Sequence, residues 1–190
     1  MVGIYNICMN EKERLITDRL ILRKYKREDA EPMYRNWGSD PEVAKYTLWT
    51  AHESVEVTKK LVDMWLEEYK DPKTVRFVIT FKGSDEPIGS IDIVNFKDNV
   101  PEIGYCLTRK FWNKGIMTEA CKAFISYLFE LGYSKILIRA DVRNIGSNRV
   151  IEKCGFIFTH KEMIECRSEA SPESVEVNWY ELQNNLLYSR

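Results

Sequence analysis

The spacing of apolar residues along this chain changes period several times, and each change marks a new element. Over 15–25 apolar and polar residues alternate, with Leu20 and Leu22 on one side and Arg19, Ile21 and Arg23 on the other, which predicts a strand. Over 27–37 the period lengthens, and Ala30, Met33, Tyr34 and Trp37 fall at helical spacing. Gly38-Ser39-Asp40-Pro41 reads as a breaker. A second helix is predicted over 55–69, with a broad apolar side of Val55, Val57, Leu61, Val62, Trp65, Leu66 and Tyr69.

Three strands follow, over 75–81, 88–96 and 100–108. The turns between them, 82–87 and 97–99, are short enough to make the strands antiparallel neighbours. A third helix is predicted over 117–131, with Gly132 ending it. Residues 135–142 form an apolar strand interrupted only by Arg139. Asn144 is the expected cap of a helix over 145–154, which Gly155 ends. Two last strands, 156–166 and 175–182, flank a polar connection over 168–173. The unit from 100 to 142 is strand–helix–strand and must be a parallel crossover. The expected architecture is an α/β, mixed α+β chain: a mostly antiparallel sheet with one parallel crossover and about four helices. It reads as one domain over 1–190, with its core in 15–182.

Composition narrows the function classes. The 190 residues are 44% hydrophobic and 30% charged, as in a globular protein, with a net charge of −1 that gives no general attraction to nucleic acid or anionic lipid. No apolar run is long enough to span a bilayer, and residues 1–10 lack the basic-then-apolar order of a secretory signal. Five scattered cysteines (Cys8, Cys106, Cys121, Cys154, Cys166) without a CxxC pair read as reduced thiols of a cytoplasmic protein. With only His52 and His160 beside them, no metal site is expected. The histidines themselves read as surface or loop residues, and Cys106, Cys121 and Cys154 as small core side chains.

The segment with the most chemistry in it is 109–120, Arg-Lys-Phe-Trp-Asn-Lys-Gly-Ile-Met-Thr-Glu-Ala, where a strand runs into a turn and then a helix. A helix start leaves several N–H groups unpaired and pointing one way, and the helix dipole favours an anion there. Gly115 permits close backbone approach and a positive φ, while Lys110 and Lys114 add positive charge. A group of pyrophosphate size fits that description.

The segments Thr17-Asp18-Arg19-Leu20-Ile21-Leu22-Arg23, Asp40-Pro41-Glu42-Val43, Ile88-Gly89-Ser90-Ile91, Glu102-Ile103-Gly104-Tyr105, the loop just quoted, Asn144-Ile145-Gly146-Ser147-Asn148 and Glu152-Lys153-Cys154-Gly155-Phe156 occur in an order that resembles the GNAT acetyltransferase superfamily. The nearer resemblance is to its RimJ/RimL-like branch of ribosomal-protein N-acetyltransferases. The resemblance covers 15–181. It departs from the superfamily at Trp112, Asn113 and Met117 in the loop, and at Ile151, where many members carry a tyrosine.

The resemblance implies acetyl-CoA as donor, an amine as acceptor (a small molecule or a protein N-terminus) and no metal. The pantetheine arm would lie between the diverging ends of the 100–108 and 135–142 strands. Donor contacts are implied for Cys106, Leu107, Thr108, Lys110, Trp112, Asn113, Lys114, Gly115, Ile116, Met117 and Thr118, and for Asn144, Ser147 and Arg149 on the later helix. Glu102 is the candidate general base, directly or through water, and Ser147 the candidate acid. Trp49 and Asp92 are candidates for the acceptor side, with Trp37, Tyr46, Trp65 and the acids Glu53, Glu56, Asp63, Glu67, Glu68 and Asp71 nearby. A non-catalytic acyl-CoA-binding module is the alternative that Ile151 and Met117 allow. The late strands leave a homodimer open, and nothing here suggests a nucleic-acid or membrane partner.

Overall fold

The computed structural model describes residues 14–165 and 174–184. The expectations for residues 1–10, Cys8, Cys166 and the 168–173 connection lie outside these. The alternating N-terminal segment is two short strands, β1 (Arg14–Ile16) and β2 (Leu20–Arg23), paired antiparallel with Leu15 opposite Leu22. Thr17 makes the turn between them, since Leu20 N–H donates to its Oγ1 at 3.0 Å and Thr17 N–H donates to the Leu20 carbonyl at 3.0 Å.

The first predicted helix is present but irregular. A single turn over Arg27–Asp29 leads into α1 (Ala30–Met33) and then into a wider turn over Tyr34–Gly38. The breaker segment holds a further helix, α2 (Pro41–Ala44), because Pro suits a first helical position and the Asp40 carboxylate caps it by accepting from Glu42 N–H at 3.0 Å. The remaining order is α3 (Val55–Glu68), β3 (Arg76–Phe81), β4 (Pro87–Lys97), β5 (Val100–Leu107), α4 (Ile116–Glu130), β6 (Lys135–Asp141), α5 (Ile145–Lys153), β7 (Ile157–Ile164) and β8 (Val175–Gln183). Among the described residues there are therefore five α-helices, where the sequence pattern shows about four.

Among the described residues eight strands form one sheet in the order β1-β2-β3-β4-β5-β6-β8-β7. Every pairing is antiparallel except β5 with β6. The β4–β5 hairpin turns on Asp98 and Asn99, both with positive φ (53° and 63°), the backbone that a tight hairpin turn needs. Gly89 lets β4 approach β5, since a Cβ there would lie 2.4 Å from the Cys106 carbonyl oxygen.

The sheet buries both faces. Leu20, Leu22, Phe77, Ile79, Ile91, Ile103, Ile136 and Ile138 pack against Phe124 and Leu128 of α4 and Ile151 of α5. On the opposite face Tyr25, Val78, Met33, Trp37, Val43 and Val62 join the N-terminal helices to β3. At about 1.5–3 kcal/mol per buried large apolar side chain, these two layers supply most of the favourable folding free energy.

The parallel pair fixes where chemistry can happen. β5 pairs with β4 along its whole length, and β6 pairs with β8 along its own. Between β5 and β6 the ladder is confined to Glu102–Leu137 and Ile103–Ile138. Beyond Ile103 the two strands part, and a cleft opens toward Leu107 and Asp141.

One buried charge pair anchors the N-terminal layer. Arg23 donates to both oxygens of Asp29, at 2.7 and 2.8 Å, and to Asp85 at 2.8 Å. Asp29 is 1% exposed. Replacing Asp29 by Ala leaves the buried guanidinium with only the exposed Asp85 carboxylate as charge partner, and we expect a loss of about 3 kcal/mol in urea unfolding; a change below about 1 kcal/mol would show a pair of surface character.

Candidate functional site

The loop after β5 is built to leave N–H groups free. Arg109–Phe111 make one tight turn, and the Trp112 indole folds back to donate to the Leu107 carbonyl at 2.8 Å. Asn113 and Gly115 both take positive φ, 59° and 71°. α4 then starts without a side-chain cap, and its first backbone bond runs from Glu119 N–H to the Gly115 carbonyl. The N–H groups of Ile116, Met117 and Thr118 precede that bond and have no intrahelical acceptor, an arrangement that can cradle an anion. The Ile116 and Met117 side chains are buried in the core, so the bulk of Met117 turns away from the cradle. Lys110 and Lys114 lie over the Phe111 ring at its rim, 5.0 and 5.7 Å from the centroid.

Glu119 fixes this helix start to the rest of the sheet. It accepts from Thr17 Oγ1 (2.6 Å), Arg19 N–H (2.9 Å) and Arg19 Nε (2.6 Å). Burial alone would raise its carboxyl, but these three bonds outweigh burial and hold it below the ordinary glutamate value. A groove of about 310 Å3 opens beside it, lined by Asp18, Arg19, Gly115, Thr118, Glu119, Lys122 and Lys153. With Arg19 matched to Glu119, Lys122 and Lys153 outnumber Asp18 and leave the groove net positive.

The cleft between β5 and β6 meets the start of α5. Asn144 caps that helix, its Oδ1 accepting from Ser147 N–H at 3.1 Å. The buried Asn148 ties the helix to the sheet by donating to the Asp141 and Asn144 carbonyls and accepting from Asn178 and Tyr180. Ser147 faces the Tyr105 hydroxyl of β5, with 3.0 Å between the two oxygens. Thr108 turns elsewhere, since both its N–H and its hydroxyl donate to the Ile88 carbonyl. Arg149 stands exposed on α5.

Alternation along β5 puts Ile103, Tyr105 and Leu107 on the α4–α5 side and Glu102, Gly104 and Cys106 on the other. Glu102 is 2% exposed; its Oε1 accepts from Arg139 Nε at 2.9 Å and its Oε2 only distantly from Asn95, at 3.4 Å. Arg139 also lies 5.2 Å from the centre of the Trp179 ring, on which Lys97 and His160 pack as well. Cys106 lies 3.3 Å from Ser90 Oγ, and burial pushes its thiol up to about 11. Asp92 accepts from Arg76 Nε at 2.9 Å, while Arg76 also binds Glu68 and stacks on Trp65. Burial raises the Asp92 carboxyl although Arg76 opposes it.

Several expected site residues are thus engaged structurally. Trp37 is wholly buried in the core, and Trp49 packs on His52 at the margin of the N-terminal layer. His52 lies in the loop before α3, half-buried, with Nδ1 2.7 Å from Thr58 Oγ1. Asp63, Glu56 and Glu67 pair with Arg27, Lys59 and Lys70 on helix surfaces. Two residues were missed from the sequence, Tyr105 and Arg139. The signal for Arg139 was present, as a charge in the interior of an apolar strand. Among the described residues no cluster of three or more His, Cys, Asp or Glu is arranged for a metal, and no helix is long and apolar enough to cross a membrane.

Comparison with known proteins agrees with this geometry. Residues 19–157 match the family model described as the acetyltransferase (GNAT) domain. The uncharacterized N-acetyltransferase p20 of Bacillus licheniformis is 33% identical over 147 residues, which is 76% of this chain and 82% of that protein. The crystal structure of a GNAT-family acetyltransferase from Bacillus anthracis superposes with a TM-score of 0.76 at 26% identity, covering 90% of this chain and 98% of its own. The Salmonella typhimurium acetyltransferase that modifies the N-terminal serine of ribosomal protein L7/L12 superposes with a TM-score of 0.75 at 18% identity, covering 88% and 96%; this likeness is one of fold.

The Cys106 thiol, raised to about 11, stays protonated at neutral pH. Iodoacetamide at pH 8 should therefore leave Cys106 unlabelled in the folded protein and label it once urea unfolds the chain, as read by peptide mass spectrometry. Rapid labelling of the folded protein would show an activated thiol instead.

Proposed function

The chain belongs to the acetyltransferase (GNAT) family, whose members use acetyl-CoA, and from that premise we propose that it transfers the acetyl group directly to a primary amine, either a protein N-terminus or a small molecule. The observation that carries this reading is the uncapped start of α4 beside the parted ends of β5 and β6. The N–H groups of Ile116, Met117 and Thr118 would hold the pyrophosphate, with Lys110 and Lys114 supplying charge and Gly115 leaving room. Lys122 and Lys153, lining the adjoining groove, suit the phosphorylated nucleotide end of CoA.

The pantetheine arm would follow the cleft, where the Leu107 N–H faces the parted β6 side and would polarise the thioester carbonyl, the Cys106 backbone being turned to Ser90 of β4. Ser147 is the donor toward the leaving sulfur. Glu102 stands on the opposite face of β5, and its Oε2, weakly held by Asn95, is the oxygen open to a water that takes the amine proton. Arg139 holds the other oxygen and with it the carboxylate's orientation. Cys106 stays a neutral thiol, which argues against a covalent acetyl-cysteine and for direct transfer. Asp92, held by Arg76, and Trp49 contribute to the wall of the acceptor side. The wholly buried Ile151 offers no proton, and Ser147 stands in the cleft instead.

Two variants test the donor site. Asn and Asp both tolerate the left-handed backbone of position 115 better than most residues. Acetyl-CoA at about 100 times its Kd should stabilise the wild type by ~2.7 kcal/mol, seen as a Tm rise of roughly 5–10 °C. Gly115→Asn should keep most of that rise and Gly115→Asp should lose it; equal rises in both would place the pyrophosphate elsewhere. For the chemistry, release of the CoA thiol is followed with spermidine, glycine and a peptide bearing a free N-terminal serine. Glu102→Gln should lower kcat on the amine that works by about 10²–10⁴ with little change in the acetyl-CoA KM. An unchanged kcat would remove Glu102 from proton transfer.

A further inference from the structure

We propose that Tyr105 is a positioning residue for the leaving sulfur: its hydroxyl donates to the Ser147 carbonyl and, 3.0 Å from Ser147 Oγ, fixes the serine hydroxyl at the β5–β6 cleft. The inference rests on the acetyl-transfer reading above and adds to it a residue that was not among the expected site residues.

Three observations meet at this pair. Tyr105 Oη lies 3.0 Å from Ser147 Oγ and 3.2 Å from the Ser147 carbonyl oxygen, so the phenol faces one residue with both of its acceptors. The Ser147 backbone is held in turn by the Asn144 cap, which accepts its N–H at 3.1 Å. The pair bridges the two walls of the cleft, because Tyr105 lies on β5 beyond the last rung of the parallel ladder and Ser147 begins α5 just after β6. A phenol carries a single hydrogen, and so does a serine hydroxyl. The carbonyl can only accept, so the phenol hydrogen is directed to it, and Tyr105 Oη keeps its lone pairs to hold the Ser147 hydroxyl in one rotamer until the leaving sulfur takes its hydrogen.

The apolar surroundings push the Tyr105 phenol well above its usual value, so it stays protonated and donating. Losing that proton would bury a phenolate, which is costly. Tyr105 therefore orients and does not supply the proton. In the step itself the amine nitrogen bonds to the acetyl carbon, the carbon–sulfur bond breaks and its electron pair settles on sulfur. The Ser147 O–H bonds to that sulfur as the charge develops. The amine proton leaves through water toward Glu102 and solvent, and the thiolate takes its proton from solvent on release, so the products are the N-acetyl amine and CoA thiol.

The test compares wild type, Tyr105→Phe, Ser147→Ala and the double variant, using acetyl-CoA with the three amines named above and with water alone as acceptor. Thiol release gives kcat and KM, and calorimetry gives acetyl-CoA affinity. Tyr105→Phe should lower kcat roughly tenfold, the scale of one misdirected hydrogen bond, while the acetyl-CoA KM stays within about twofold. The double variant should be no slower than Ser147→Ala alone, because the tyrosine acts only through the serine. A Tyr105→Phe variant at wild-type kcat, or a double variant whose loss is the product of the two single losses, overturns the inference and leaves acetyl transfer standing. A loss confined to KM and Tm assigns Tyr105 to packing and overturns it as well. Wild-type protein that binds acetyl-CoA yet releases no thiol with any acceptor overturns the acetyl-transfer reading itself, and the inference with it.

Discussion

The parallel ladder between β5 and β6 stops after two residue pairs, and the rest of the molecule is arranged around that stop. Each strand keeps a full antiparallel partner on its outer side, β4 for β5 and β8 for β6, so the sheet stays continuous while its middle opens. Backbone groups past Ile103 that face the gap between the two strands then lack a strand partner there, and such groups need a partner of some kind. A cleft lined by N–H and C=O groups on rigid strands is suited to an extended, amide-containing ligand. The helix that leaves β5 adds its own free N–H groups at the same end.

Rigidity of the cleft comes from contacts far apart in the sequence. Glu119 ties the β1–β2 turn to the first turn of α4, Asn148 ties α5 to β6 and β8, and Trp112 locks the loop to the end of β5. The charged side chains near the cleft mostly have a matched partner: Glu102 with Arg139, Asp92 with Arg76, Glu119 with Arg19. Lys122 and Lys153, with the two rim lysines, supply the positive charge at the proposed donor site, in agreement with a multiply charged anionic donor rather than a general attraction to polyanions.

The order of strands, the crossover and the loop before α4 were legible in the sequence because each rests on local signals: period, turn residues and a Gly at a helix start. What was not legible depends on partners distant in the chain. The alternation over 15–25 runs straight through the Thr17 turn, which Glu119 holds from 102 residues away. Pro41 reads as a breaker, yet Asp40 and Pro41 together start α2. Tyr105 keeps step with Ile103 and Leu107, so its pattern is that of a core residue; only the fold brings Ser147 to its hydroxyl. Asp92 and Glu102 were visible as carboxylates on strands, whereas their guanidinium partners were set by register across the sheet.

The most direct test of this account is an amide chemical-shift titration of the whole chain with CoA. The account predicts that the largest changes fall on Cys106 and Leu107 at the end of β5 and on Gly115, Ile116, Met117 and Thr118 at the start of α4, saturating together. Changes that leave these amides unmoved, or that gather on the N-terminal helices instead, would contradict it.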